Sequence, residues 1–381
     1  MQVRTSVVGA GRQGWLRVGF VVVAIALVVN IVHVDWRAGI DFHTYYAATQ
    51  VAFGLGWPHL YDQGIIEQVQ KELVPSQWSQ PFLSPPTVAW LAAPLSALPY
   101  RIAFLVWAVL MFLALALALA WAGTGRGLAR WIAVFGALSL WWVMHAVDVG
   151  QVVPLVAAST VVAWRLVRDK HDVAAGLVLA AILLKPNTAF LVPFTLLFAG
   201  RLRVFAAWLS AVIVILLFAY FTIGSGGMTA YVEQLLAPLP KGADALTLHG
   251  ALGAAGAVAL VLRMVIVVAA LAAAYRLRSS AGLAVVLGII GSLLIAPYLH
   301  ASDACLLAVA GWMVWEQFPT TTWRIPLAAA WVLASPFLYV IGLSLPLYRW
   351  PLLEIVLLVA LVVLAWRPLT SRADARTQAP A

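Results

Sequence analysis

Charge is what this chain has least of. Only 10% of its 381 residues are Asp, Glu, Lys or Arg, whereas soluble domains carry about 25%. A large soluble domain is therefore excluded. The composition is 64% hydrophobic, and apolar runs of about 20 residues recur from end to end. Because these runs are continuous and do not alternate, they predict an all-α, polytopic helical membrane protein and exclude a β-barrel.

Cysteine is also scarce, and nucleotide-binding motifs are missing. Cys305 is the only cysteine, which excludes a disulfide framework and a cysteine metal site. No glycine-rich phosphate loop, His-x-x-x-His or Asp-x-Asp pattern is present, so the chain does not easily use a cytosolic nucleotide-sugar. No cofactor is expected, and the question of a divalent metal stays open. The net charge of +9 reflects arginines in short loops at helix ends, a usual topology signal, so no nucleic-acid partner is expected.

The apolar runs predict about 11–13 membrane segments, some of them short or broken. Their approximate limits are 16–34, 85–98, 101–122, 131–147, 151–166, 173–199, 203–223, 253–275, 281–299, 302–318, 325–344 and 350–366. We expect residues 1–370 to form one transmembrane domain and residues 371–381 to be a polar, disordered cytoplasmic tail. The first run is too long for a cleavable signal peptide, and no small-residue cleavage site follows it.

The distribution of charge predicts which side of the membrane each loop faces. Arginines flank both ends of the chain, so both termini are expected in the cytoplasm. The first long loop, residues 35–84, has two basic and five acidic residues, and its net charge of −3 places it outside. It should carry interfacial helices at 47–54 and 63–72, the second capped by Asp62. Residues 224–252 form the second expected outer loop.

Two topologies fit the first half of the chain. In the favoured one, segments 131–147 and 151–166 form a hairpin with its tip outward, and segment 173–199 is broken at residues 185–187. Pro186 supports the break because proline removes a helix hydrogen bond and disfavours helix before it. The alternative has one simple span for each apolar run and leaves two basic loops outside.

Asp41 is the strongest catalytic candidate, since it lies among aromatic residues soon after the first apolar segment. A carboxylate in such a setting has its pKa raised and can take a proton from a hydroxyl, as a general base does. Asp is also a good N-cap, so a cap for a helix at 42–54 is the competing interpretation. Tyr45 and Tyr46 follow as candidates for substrate binding, whereas Tyr61, beside Asp62, is expected to be a structural anchor.

Lys185 lies in the middle of a long apolar stretch, too far from either end for its side chain to reach the membrane surface. A charge at that depth is a functional-site hypothesis by default and requires an anion. A phosphate is one candidate, and an ion pair with an intramembrane aspartate is the other. Arg263, in the middle of segment 253–275, is a second phosphate candidate.

Two further polar clusters lie at predicted outer boundaries. Asp148 and Gln151 lie at the hairpin tip, where they can bind hydroxyl groups or simply form a polar turn. His300 and Asp303 lie between two apolar segments and can orient a substrate or a phosphate. A lone histidine, however, is more often structural.

Six motifs stand in a characteristic order along the chain. They are Asp-Phe-x-x-Tyr-Tyr (41–46), Gly-x-x-x-x-x-Leu-Tyr-Asp (54–62), Pro-Pro (85–86), Gly-Gln (150–151), Lys-Pro (185–186) and Pro-Tyr-x-His-x-x-Asp (297–303). This ordered set resembles glycosyltransferase family 87, over about residues 16–366. Two positions depart from the family pattern: Ser84 precedes the two prolines where tyrosine is usual, and Val153 replaces the asparagine of Gly-Gln-x-Asn.

The resemblance implies a GT-C fold and an inverting transferase in a bacterial inner membrane. Such enzymes move a sugar, mannose in the best-known members, from a polyprenyl-phosphate donor to a hydroxyl of a lipid-linked or cell-envelope glycan. An aspartate in the first extracytoplasmic loop is the general base, a role that falls to Asp41. A transporter or flippase of lipid-linked sugars and a non-catalytic assembly subunit are the alternatives.

The other candidates take roles in such a site. Those expected to bind the donor phosphate are Lys185, His300 and Arg263. Those expected to bind the sugar or the acceptor are Tyr45, Tyr46, Asp148, Gln151 and Asp303.

Overall fold

The structure is a computed structural model that describes residues 3–33, 39–237, 244–334 and 349–367. Every regular element in those ranges is helical, so the all-α prediction is confirmed. The α-helices are α1 (Val3–His33), α2 (Ile40–Leu55), α3 (Gln63–Leu73), α4 (Pro86–Ala92), α5 (Tyr100–Ala122), α6 (Gly127–Leu138), α7 (Trp141–Asp148), α8 (Val153–Arg168), α9 (Asp172–Leu179), α10 (Val192–Phe198), α11 (Leu202–Leu236), α12 (Leu248–Leu252), α13 (Gly256–Arg276), α14 (Ala281–Ile295), α15 (Cys305–Gln317), α16 (Thr321–Leu333) and α17 (Trp350–Trp366).

Four of the described helices are long and apolar enough to cross a membrane: α1, α5, α11 and α13. The pair α6 and α7 makes a fifth if it is one span bent by 55°. Shorter apolar helices accompany them, so the polytopic membrane prediction is confirmed with many segments short or broken. Proline and glycine cause several of the breaks; the predicted segment 85–98, for example, divides into α4 and a 3₁₀ helix at Ala93–Ala97.

The predicted break at residues 185–187 is present. α9 continues into a 3₁₀ helix at Ala180–Leu184 and then stops at Lys185, whose φ of −153° and ψ of 79° are not helical. A second short 3₁₀ helix, Pro186–Thr188, leads to α10. Non-helical backbone in a membrane protein is tolerated where protein surrounds it or where it lines a cavity.

The second predicted loop is shorter than expected. α11 continues to Leu236, with a kink at Gly224 (φ 69°, ψ 178°), so the loop prediction is wrong for residues 224–236. The Gly-Ser-Gly-Gly sequence there suggests a helix end, but the helix resumes and packs against the 3₁₀ helix Trp57–His59. Residues 238–243, 335–348 and 368–381, which include the rest of segment 325–344 and the tail, lie outside the described residues.

The two helices of the first long loop differ in their surroundings. α3 agrees with the prediction: Asp62 is its N-cap and accepts a hydrogen bond from the Ile65 N–H, and much of its surface is exposed. α2 begins at Ile40, well before residue 47, and its residues 41–49 are all buried. The helix predicted at 47–54 is therefore the C-terminal part of a longer helix that is buried in the protein. Aromatic and small residues occur on all of its faces, and α3, α4 and α5 pack around it.

Candidate active site

Asp41 is buried in the first turn of α2, with 8% of its surface exposed. The N-cap position belongs to Gly39, which is in the left-handed conformation, so the cap interpretation of Asp41 is wrong. Burial raises the pKa of Asp41 above the usual range of a carboxyl group, against the opposing attraction of the Lys185 ammonium. A buried carboxylate with a raised pKa is suited to accept a proton near neutral pH.

The position of α2 is fixed by the turn between α7 and α8. The backbone N–H of Gly39 donates to the Asp148 carbonyl at 3.1 Å, and that of Asp41 donates to the Val149 carbonyl at 2.8 Å. The N-terminal end of one helix is thereby satisfied by the carbonyls at the C-terminal end of another, which also matches their dipoles. These bonds place the first turn of α2 against the predicted hairpin tip, residues 148–151.

Gly150 allows this close approach. Its φ is 72°, and a Cβ there would lie 2.5 Å from the Cβ of Phe42. Its carbonyl accepts a hydrogen bond from Trp107 Nε1 at 2.9 Å. Glycine is required on both counts, because other residues rarely adopt this φ and any side chain would displace Phe42, the neighbour of Asp41.

A chain of two hydrogen bonds runs from Tyr45 through Gln151 to Asp41. The Tyr45 hydroxyl donates to Gln151 Oε1 at 2.6 Å, and Gln151 Nε2 donates to Asp41 Oδ2 at 2.8 Å. Tyr45 and Gln151 each have 4% of their surface exposed. Two of the five residues predicted to bind sugar or acceptor are thus linked to the carboxylate, Gln151 directly and Tyr45 through Gln151.

Lys185 is paired with Asp303. The Lys185 Nζ lies 2.6 Å from Asp303 Oδ1, and the Asp303 side chain is fully buried. Asp303 Oδ2 accepts the backbone N–H of His300 at 2.9 Å, which fixes the start of the 3₁₀ helix Ala301–Ala304. The structure therefore shows an ion pair, which was the competing interpretation of Lys185. Asp303 binds Lys185 in this pair, whereas the sequence suggested that Asp303 binds the sugar or the acceptor.

Four ionisable groups influence Asp41 electrostatically: in order of their effect these are Lys185, His300, Asp303 and His145. His145 was not a candidate from the sequence. It lies on α7, stacks on Trp141 with ring centroids 4.5 Å apart, and its Nδ1 is 3.8 Å from Asp148 Oδ2. The available signal was its spacing of three residues from Asp148 on one helix, which places both side chains on the same face.

Three sequence candidates have surroundings that differ from those expected. The Tyr46 hydroxyl donates to the Leu98 carbonyl at 2.7 Å, which makes it a tether for the chain that precedes α5. Asp148 is half-buried and faces His145. Arg263 is half-buried on α13, and no contact within the described ranges joins it to the Asp41 cluster.

An apolar groove of about 920 Å³ lies between α1, α6, α15, α16 and α17. Its lining consists mainly of Ala, Leu, Val and Trp side chains, and it includes Leu140 and Trp142 at the start of α7, the helix that carries His145. In the part of the chain that the structure describes, no three His, Cys, Asp or Glu side chains are grouped as metal ligands.

Comparison with known families identifies the chain. The family model for glycosyltransferase family 87 matches residues 82–302, which is more than half of the sequence. The chain belongs to glycosyltransferase family 87. No curated protein and no solved structure matches it.

Membership of family 87 makes the protein a glycosyltransferase, here one built from membrane helices. The matched region contains Gln151, Lys185 and His300. It begins after Asp41 and ends just before Asp303, so the case for these two carboxylates depends on the geometry of the site.

Proposed function

We propose that this family 87 glycosyltransferase moves a sugar from a polyprenyl-phosphate donor to an acceptor hydroxyl, with Asp41 as the general base. The observation that carries the proposal is a buried carboxylate placed among ionisable groups from α7, the α9–α10 break and the α14–α15 loop. These segments are far apart in sequence, and folding gathers them around one acidic side chain.

The proposed step is a single displacement at the anomeric carbon. The acceptor O–H gives its proton to the Asp41 carboxylate as its oxygen forms a bond to that carbon. The bond from the anomeric carbon to the phosphate oxygen breaks, and its electron pair leaves with polyprenyl phosphate. Attack opposite to the leaving group inverts the configuration.

Lys185 and His300 are proposed to stabilise the departing phosphate. An ammonium has three donors, so Lys185 can keep Asp303 as a partner and still donate to a phosphate oxygen. His300 is exposed beside it. Partial burial of the imidazole lowers the pKa of His300, and the positive charge of Lys185 lowers it further. Near neutral pH, His300 would therefore act as a neutral hydrogen-bonding group. Positive charge and donors placed where charge develops stabilise a transition state.

The lipid part of the donor has a matching surface. The apolar groove suits an isoprenoid chain, because it opens among the membrane helices and reaches α7. We propose that mannose is transferred, that the acceptor is a lipid-linked or cell-envelope glycan, and that the site lies on the extracytoplasmic face of a bacterial inner membrane. Arg263 is left out of the proposed phosphate site.

Replacement of the base tests the proposal. Asp41→Asn keeps the shape of the side chain but cannot accept the proton, and general base catalysis contributes about 10²–10⁴-fold to a rate. We therefore expect purified Asp41→Asn to lose at least about 10²-fold in transfer from radiolabelled polyprenyl-phosphate mannose to a glycolipid acceptor. Thermal stability and elution in detergent should be unchanged.

Asp62→Asn is the matched control. Asp62 is an exposed N-cap in the same loop, and asparagine caps helices equally well, so this variant should retain full turnover. Turnover by Asp41→Asn at the wild-type rate would remove Asp41 from the base role. Movement of the labelled lipid across vesicles without a glycosylated product would instead indicate a transporter or flippase.

A further inference from the structure

We infer that Gln151 and Tyr45 are positioning residues that orient the Asp41 carboxylate, so that one of its oxygens is reserved for the acceptor proton. This inference depends on the proposed role of Asp41. It also replaces the sequence interpretation of both residues as sugar or acceptor ligands.

The orientation of the Gln151 amide is fixed by its oxygen. Oε1 accepts from the Tyr45 hydroxyl at 2.6 Å and from the backbone N–H of Val152 at 3.1 Å. A backbone N–H can only donate, so the amide oxygen must face it and the NH₂ group must face Asp41. Burial and the nearby Asp41 carboxylate raise the pKa of Tyr45 far above its usual value, which keeps its hydroxyl protonated as a donor.

The result is an asymmetric carboxylate. Oδ2 of Asp41 accepts the Gln151 N–H at 2.8 Å, while no side-chain or backbone donor among the described residues reaches Oδ1. Oδ1 is therefore the oxygen left to take a proton. A carboxylate that could rotate freely would present this geometry only part of the time.

The amide also favours the ionised form of Asp41, because hydrogen bonds donated to a carboxylate stabilise its charge. Four other groups act on the same carboxylate: Lys185 and Asp303 from the ion pair, His300 beside them, and His145 on α7. Substitution of Gln151 leaves all four in place. The pH at which Asp41 loses its proton therefore reports the contribution of the amide.

The pH dependence of turnover tests the inference. Activity requires ionised Asp41, so it should fall as the pH decreases through the pKa of this group, which burial raises. Gln151→Ala should move this acid limb to higher pH, with about a tenfold loss of kcat on the acid side and recovery at alkaline pH. Tyr45→Phe should move it in the same direction by less, because the Val152 N–H still holds the amide oxygen.

Tyr46→Phe is the matched control. Tyr46 is the next residue of α2 and is also buried, but its hydroxyl donates to the Leu98 carbonyl, so the midpoint of the acid limb should not move. A raised KM in Gln151→Ala without a shift of the acid limb would indicate a substrate ligand and overturn the inference.

A second readout does not require turnover. A hydrophobic carbodiimide modifies protonated carboxyl groups, and mass spectrometry can follow labelling of Asp41 as a function of pH. The labelling midpoint should rise in Gln151→Ala, rise less in Tyr45→Phe and stay constant in Tyr46→Phe. Unchanged midpoints in the first two variants would overturn the inference. Retained turnover in Asp41→Asn would overturn the base role of Asp41, whereas the labelling midpoints test separately whether Gln151 and Tyr45 hold its carboxylate.

Discussion

At the scale of single residues, the site combines two buried carboxylates with one lysine. Only 14 residues of the chain are acidic, and two of them, Asp41 and Asp303, interact with Lys185. Asp303 has no exposed surface, and the Lys185 side chain has only 12%. Removing one partner of such a buried ion pair is costly, because the remaining charge is neither hydrated by water nor compensated by an opposite charge.

We therefore predict that the effects of substituting Lys185 and Asp303 on the free energy of unfolding are not additive. Asp303→Asn should destabilise the protein by about 3–5 kcal/mol, because the Lys185 ammonium is left without its counter-ion. The double variant Asp303→Asn with Lys185→Met should recover much of that loss. Thermal unfolding in detergent measures both effects.

The exposed pair of Lys71 and Glu67 is the control. These side chains are 62% and 55% exposed, so Lys71→Met should change stability by less than about 1 kcal/mol. Additive losses in the Lys185 and Asp303 variants would contradict the predicted coupling.

At the scale of elements, the site depends on how α2 packs against the turn between α7 and α8. Asp41 is placed by backbone hydrogen bonds to Val149, and the close packing of Gly150 on Phe42 leaves no room for a side chain. The position of the proposed base is thus set by contacts that involve no ionisable group.

Gly150→Ala tests this packing, and Gly200→Ala, at a glycine of similar conformation, is its control. Both Gly150 (φ 72°) and Gly200 (φ 80°) are left-handed, but only at Gly150 would a Cβ collide with Phe42; at Gly200 nothing lies within 4 Å. Gly200→Ala should cost about 1–2 kcal/mol from the backbone alone. Gly150→Ala should lower the melting temperature further and reduce transfer, because the first turn of α2 must move.

Equal losses of stability and equal activities in the two glycine variants would show that α2 does not require this contact. The measurement is a melting curve in detergent together with the initial rate of sugar transfer.

Elements with strong local signals were predictable from sequence. Asp62 caps α3, and Pro186 marks the break after Lys185, because cap and proline chemistry act within a few residues. The start of α2 and the bend between α6 and α7 were not predictable. They depend on carbonyls and packing surfaces supplied by distant parts of the chain.

At the scale of the whole molecule, the arrangement in the membrane is the open prediction. The favoured topology places the site outside, with the basic residues that end α8 inside; the alternative leaves those residues outside. Cys305 is fully buried, so it gives little background for thiol labelling.

Single cysteines introduced at two exposed positions separate the topologies. Ser76→Cys lies in the first long loop and His171→Cys follows α8. In intact cells, a membrane-impermeant maleimide should label the first, while the second should be labelled only after permeabilisation. Labelling of His171→Cys from outside would favour the alternative in which every apolar run is a simple span.

The membrane class, the break at Lys185 and the prominence of Asp41 could all be read from the sequence, because hydropathy, proline chemistry and the scarcity of charge are local properties. Which groups act on one another became clear only from the packed helices. Their packing paired Lys185 with Asp303, directed Gln151 at Asp41, brought His145 into the site and left Arg263 apart. The physical reason is that hydrogen bonds and ion pairs act over a few ångströms, and residues more than a hundred positions apart come that close only when the helices pack.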